Sequence, residues 1–284
     1  MAIFSNQATL TVGGASVDSN IAYGEILDVL AATKTAVEPA YTPGGTVTYV
    51  VTLRNTGNTV LSGLTVTDDL GGYDLNGNTV YPLTYEANTA ALFLNGVPQP
   101  APAVTPGPPL AITGINVPAG GNAVILYQAR ANAQADPTAQ GTIINTVTVT
   151  GDGLSAPVTA TETVNAATAP DLTITKTITP AQVVDNDRVT YTFLISNTGN
   201  TPVIATDNAV ITDTFSPVLT DLVVTFNGTT WTAGTEYTYD PVTGQFATVA
   251  GNVTVPAATY TQDPVTGTYT AAPGVSTLVV VGTI

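Results

Sequence analysis

One stretch of this chain occurs twice, and the second occurrence stops short. "TKTAVEPAYTPGGTVTYVVTLRNTGNTVLSGLTVTDDL" starts at Thr33, and "TKTITPAQVVDNDRVTYTFLISNTGNTPVIATDNAVITDTF" starts at Thr175. Lys34 to Val47 and Lys176 to Val189 are both thirteen residues; Lys34 to Asn55 and Lys176 to Asn197 are both twenty-one. A three-residue insertion separates the copies before the aspartates Asp68 and Asp213. Spacing held this closely means two copies of one folding unit.

Each copy reads as successive strands. "TVTYVVTLRN" and "RVTYTFLISN" alternate apolar and polar residues and end in "NTGNT", an Asn/Gly turn that permits positive φ. "GLTVTDDL" and "NAVITDTF" follow as the next strand, and "GNAVILYQARA" matches "VSTLVVVGTI" further on. Thr, Val, Gly and Pro are abundant, and runs of helix formers are missing. The pattern predicts an all-β chain of two tandem immunoglobulin-like β-sandwich domains preceded by a donor strand or hairpin. The boundaries are 1–26 for the hairpin, 27–168 for domain 1 and 169–284 for domain 2.

The Lys-Thr start, the "Gly-x-x-Val-Thr-Tyr" strand, the "Asn-Thr-Gly-Asn" turn and the "Val-Thr-Asp" strand resemble the bacterial surface repeat family called "domain of unknown function eleven". In the second copy Asn186 replaces the glycine of the "Gly-x-x-Val-Thr-Tyr" segment. The resemblance covers both copies. It implies a β-sandwich module of surface or fibrous proteins, with no enzymatic activity attached to the fold.

Past Arg130 the first copy continues into "GTIINTVTVTGDGLSAPVTATETV", a closing hairpin that the second copy does not show before Ile284. The chain start supplies a match. "IFSNQATLTVGG" lies over "TIINTVTVTGDG", setting Asn6 on Asn145, Ala8 on Val147, Leu10 on Val149 and Val12 on Gly151. It reads as one continuous strand, and "NIAYGEIL" can serve as its return. Asn6 to Lys34 is 28 residues, and Asn145 to Lys176 is 31. The strand carrying Phe4, Asn6, Ala8, Leu10 and Val12 is therefore expected to complete domain 2 of a neighbouring copy. Such heterologous contacts need not close and generate filaments.

The chain has two lysines, at equivalent positions on the apolar parity of their strands: Lys34 with Leu30 and Ala32, Lys176 with Leu172 and Ile174. Asp68 and Asp213 share faces with apolar residues, as do Asn145 and Asn6. One Lys, one Asp and one Asn per domain are thus aimed inward, where unpaired polar groups are costly. Two readings stay open. One is a structural Lys–Asp pair with Asn completing the hydrogen bonds. The other is an isopeptide bond, as in the pilin and adhesin domains these trios resemble. Burial favours the neutral amine and the protonated acid, and the amine can then attack the Asn amide. The trios are Lys34, Asp68 and Asn145 within a chain, and Lys176 and Asp213 with Asn6 of the next subunit.

The net charge of −15 argues against nucleic acid or an anionic membrane as partner. Cysteine and histidine are absent, which removes disulfides, thiol nucleophiles and Ser-His-Asp arrangements. No cofactor, metal or enzymatic activity is expected. "DLNGN" at Asp74–Asn78 resembles a calcium loop, but the twelfth position is Tyr85 rather than Glu. No run of 18 apolar residues occurs, and the first ten residues lack the basic and apolar regions of a signal peptide. The expectation is a homopolymeric fibre subunit at a cell or spore surface. The alternatives are a monomeric spacer of a surface adhesin and a carbohydrate-binding module using Trp231.

Overall fold

The computed structural model describes residues 2–26 and 28–284, with the side chains of residues 2, 3, 25 and 26 left aside. The chain divides into two compact units. Unit 1 holds Met1–Asp136 and Gly141–Ala166, and unit 2 holds Ala167–Asp263 and Thr268–Ile284, with 137–140 counted in unit 2 and 264–267 in unit 1. Both are built from strands.

Four short strands open the chain: β1 (Ala2–Asn6), β2 (Thr9–Val12), β3 (Ala15–Asp18) and β4 (Ala22–Ile26). They form a hairpin in which, among the described residues, β2 pairs only with β3 and β1 only with β4. Gly13 and Gly14, with φ of 59° and 85°, make its two-residue turn. Two successive positive φ values match the strands' right-handed twist and favour glycine. The expected continuous strand is interrupted at Gln7 and Ala8. Leu10 faces Val17, but Asn6 faces Ala22, so the register shifts by one across the break. Ser19 fills the gap: its backbone N–H donates to the Ala8 carbonyl at 2.8 Å, and its Oγ accepts from the Ala8 N–H at 2.9 Å.

The rest of unit 1 runs through β5 (Leu30–Ala36), β6 (Ala40–Tyr41), β7 (Thr46–Asn55), β8 (Leu61–Asp68), β9 (Tyr73–Leu75), β10 (Asn78–Val80), β11 (Leu83–Tyr85), β12 (Ala91–Leu94), β13 (Val97–Pro98), β14 (Ala103–Thr105), β15 (Leu110–Val117), β16 (Asn122–Ala131), β17 (Thr142–Thr150) and β18 (Val158–Ala166). One six-stranded sheet is ordered β13-β12-β16-β7-β5, with β11 also on β16; the other is ordered β14-β15-β8-β17-β18-β6. Along β7 the buried residues are Val47, Tyr49, Val51, Leu53 and Asn55; along β16 they are Ala123, Ile125, Tyr127, Ala129 and Ala131. That period of two gives each sheet one apolar face, and the two faces form the sandwich core with Leu64, Val66, Ile112 and Val149.

Unit 2 contains β19 (Leu172–Thr179), β20 (Arg188–Asn197), β21 (Thr212–Thr214), β22 (Thr220–Phe226), β23 (Thr229–Trp231), β24 (Tyr237–Tyr239), β25 (Gln245–Thr248), β26 (Thr259–Gln262), β27 (Tyr269–Ala272) and β28 (Gly274–Thr283). One sheet is ordered β19-β20-β28-β22-β23, and the facing one has three strands, β21-β25-β24. Its core holds Val189, Phe193, Phe215, Val224, Phe246, Leu278 and Val280. The strand expected over "NAVITDTF" shrinks to Thr212–Thr214. In unit 1 the matching β8 is laddered on both sides, by β15 and β17, whereas among the described residues β21 pairs with β25 alone. A strand with half its ladder has fewer hydrogen bonds to hold it extended.

The "NTGNT" segments differ from the expected turn. Neither Gly57 nor Gly199 has a positive φ. Instead the buried Asn side chain holds the loop. Asn55 Nδ2 donates to the Thr59 and Val117 carbonyls, and its Oδ1 accepts from Gly57 N–H. Asn197 repeats this with Thr201, Pro256 and Gly199. The glycine is needed for space, since a Cβ at Gly199 would lie 2.2 Å from the Ala169 carbonyl oxygen.

Candidate functional site

The strands of unit 1 bring Lys34, Asp68 and Asn145 into one buried layer. Lys34 lies on β5 at the edge of one sheet; Asp68 ends β8 and Asn145 lies on β17, neighbours in the other. Lys34 Nζ donates to Asp68 Oδ2 at 2.5 Å, and the two side chains are 0% and 1% exposed. Tyr127 OH donates to the same oxygen, and Leu70 N–H donates to Asp68 Oδ1 at 2.7 Å. The amine lies 4.6 Å from the centroid of Tyr49, whose ring stacks on Tyr127 at 5.7 Å.

Burial pushes the Lys34 amine below its ordinary value of 10.5, against the opposing pull of Asp68. Burial also pushes the Tyr49 and Tyr127 phenols upward. The Asn145 amide faces both phenols and, as a hydrogen-bonding neighbour, holds each down slightly against the upward push of burial. Neither its Oδ1 nor its Nδ2 makes a short, well-aligned hydrogen bond, although the residue is fully buried, so the phenols hold it only loosely. An unpartnered buried amide costs about 1–3 kcal/mol. The simple structural reading, with Asn145 completing the Lys–Asp hydrogen bonds, therefore lacks its third bond. An amine with a depressed pKa, a carboxyl group on it and an amide held only loosely by its phenol neighbours are the components of amide exchange.

Unit 2 repeats two of the three positions. Lys176 Nζ on β19 pairs with Asp213 Oδ2 on β21. The amine sits 4.7 Å from the Tyr191 ring centroid, 5.4 Å from Phe193 and 5.3 Å from Phe215. Val280 faces Tyr191 in the register where Tyr127 faces Tyr49, so the carboxylate has no phenol from that position. The expected burial is not met in the single chain: Lys176 and Asp213 side chains are 39% and 18% exposed. All eight residues of β19 are exposed, Leu172, Ile174 and Ile178 included. The cause is the partner strands. In unit 1, β17 lies beside Asp68 and β18 packs on β5; among the described residues nothing takes those places on β21 and β19.

Asn6, the third expected member, is exposed on β1 opposite Ala22 and not turned inward. Phe4, Ala8, Leu10 and Val12 are exposed with it. The sequence reading passed over the tyrosines as chemistry. Their signal was present in "VTY", which sets Tyr49 and Tyr191 on the same parity as Val51 and Phe193.

Other candidates resolve into packing. Trp231 stacks on Phe226 with centroids 4.8 Å apart. Asp74 and Asn78 belong to the β9–β10 hairpin. Among the described residues no group of acidic side chains converges to hold a metal ion, and no helix is long and apolar enough to cross a membrane.

No family model matches the chain, which leaves the resemblance to "domain of unknown function eleven" without support, and no curated protein matches it. Solved structures do. The full-length major pilin SpaD from Corynebacterium diphtheriae aligns over 85% of this chain and 58% of its own, at 11% identity and a TM-score of 0.36. The pilus backbone RrgB from Streptococcus pneumoniae aligns over 86% and 55%, at 10% identity and a TM-score of 0.34. A family 123 glycoside hydrolase from Clostridium perfringens aligns over 49% and 28%, at 14% identity and a TM-score of 0.30. The chain thus spans 28% to 58% of these proteins, and likenesses at this level assign no function.

Proposed function

We propose that this chain is a structural subunit of a surface filament, joined head to tail by donating its N-terminal hairpin to unit 2 of the next copy. One observation carries the reading: among the described residues β21 ladders only on β25 and β19 exposes its whole length where unit 1 has β17 and β18, while a hairpin of matching pattern ladders only on itself. In unit 1, Val147 on β17 faces Asp68 and Val149 faces Val66. The alignment then sets Ala8 opposite Asp213 and Leu10 opposite Ile211 in the neighbour. Phe4 takes the place of Ile143, which is buried in unit 1.

Burying Phe4, Leu10 and Val12 contributes roughly 1.5–3 kcal/mol each. The hairpin already has its turn and inner ladder, so less ordering entropy is lost on docking than for a free arm. Within unit 1 the same geometry supports a Lys34–Asn145 isopeptide bond joining the two sheets. Filament subunits of this kind belong at a cell or spore surface.

Sedimentation and negative-stain microscopy of the purified chain over a concentration series test the polymer. Linear fibres are expected, and Leu10→Asp abolishes them. A wild-type chain that stays monomeric at every concentration refutes the proposal.

A further inference from the structure

We infer that the bond between subunits is conditional on seating: the Lys176–Asp213 half-site stands assembled in the free subunit and becomes able to form an amide only when a neighbour's hairpin docks in register. This rests on the donated-hairpin reading above. The half-site is preformed, because Lys176 already contacts Asp213 over the Tyr191, Phe193 and Phe215 rings. It differs from its unit 1 counterpart in access to water, 39% and 18% exposure against 0% and 1%. An amine in water holds its proton and has no lone pair for attack, and burial favours the neutral form. The covering strands that bury Lys34 have no counterpart over Lys176 until a hairpin arrives.

Register adds a second condition. A strand displaced by one residue turns every side chain to the opposite face. A slip of one aims Asn6 at solvent, and a slip of two brings Phe4 or Ala8 to the lysine, neither of which carries an amide. Only the in-register neighbour is sealed. In the step itself the Lys176 ammonium passes one proton to the Asp213 carboxylate. Nζ attacks Cγ of the neighbour's Asn6, the C–N bond forms and the Cγ–Nδ2 bond breaks. The proton shed by Nζ moves to Nδ2, which leaves as ammonia and takes up the proton held by Asp213. No oxidant or energy source is consumed.

Two full-length variants isolate the event. Lys176→Ala can only donate, and Asn6→Ala can only accept. Mixed, they should give a dimer that survives boiling in detergent, short of one ammonia at the junction; each alone should give none. In an acceptor that also carries Leu10→Asp, whose hairpins cannot dock on its own copies, Lys176 should react with an amine-selective reagent and become protected when the Lys176→Ala donor is added. A donor that also carries Asn6→Ala and Gln7→Asn moves the amide by one position and should associate without linking. Linking by that donor overturns the register condition. A wild-type monomer already bonded through Lys176 before assembly overturns the seating condition. Association without any covalent dimer overturns the bond and leaves the polymer standing. Absence of association by sedimentation removes the hairpin reading itself.

Discussion

Replacing Asn145 with alanine separates two accounts of the unit 1 triad by the sign of the result. If Lys34 and Asn145 remain unlinked, the substitution removes a buried amide that makes no well-aligned hydrogen bond. Relief of about 1–3 kcal/mol then offsets the loss of packing at a small cavity. Stability should change by no more than about 1 kcal/mol, or rise. If the bond forms, the substitution opens a loop of 111 residues, from Lys34 to Asn145. The chain-entropy relation for a cross-link of that span gives about 5 kcal/mol. For a unit of this size that lowers the melting temperature by roughly 10–20 °C. Scanning calorimetry of the full chain reads both units. Trp231, the sole tryptophan, lies in unit 2, so its fluorescence identifies that transition and assigns the other to unit 1. Intact mass of the unassembled monomers supplies the control: the wild type should lack one ammonia and the variant none. A wild type of full mass, with an unchanged or higher melting temperature for Asn145→Ala, refutes the bond.

Other consequences follow from the same geometry. Leu10→Asp should abolish fibres and leave both unfolding transitions within about 0.5 kcal/mol of wild type, because the residue is exposed in the free subunit; urea denaturation checks this. Asn55→Ala and Asn197→Ala should each cost their own unit about 3 kcal/mol, since each loses several buried hydrogen bonds and strands their partners. Gly199→Ala should destabilise unit 2 by about 1–3 kcal/mol, whereas Gly57→Ala should be milder, its Cβ meeting nothing nearer than Asn55 Oδ1 at 3.1 Å; calorimetry ranks the two. In the unlinked Asn145→Ala chain the Lys34 amine is held below 10.5, so the unfolded chain binds more protons and unit 1 gains stability as pH rises toward that value. Above the ordinary tyrosine value of 10.0 the raised Tyr49 and Tyr127 phenols keep protons that the unfolded chain releases, and stability falls. Urea midpoints across that range should therefore pass through an alkaline maximum that Lys34→Met shifts or removes.

The strands around Tyr49 and Tyr191 could be read directly, because a period of two over ten residues encodes which face is buried. The Lys34–Asp68 contact was legible for the same reason, parity on two strands of known spacing. The "NTGNT" loop was misread because a local Asn-Gly signal also fits a positive-φ turn. What holds Asn55 in place is the Val117 carbonyl, 62 residues away. The interruption at Gln7 and Ala8 was invisible, since alternation continues through it and only pairing with Ser19 breaks it.

Sequence alone determined that the chain holds two copies of one β unit, that each carries a lysine and an aspartate on its inward parity, and that an asparagine strand stands at the chain start. Those properties are written in spacing and alternation, which need no neighbour. Tertiary structure decided that Lys34 is sealed from water while Lys176 is half open, and that Asn145 is buried among phenols without a well-aligned hydrogen bond. Burial belongs to whichever strands happen to cover a residue, and two lysines in the same local pattern differ once one has its covering strands and the other does not.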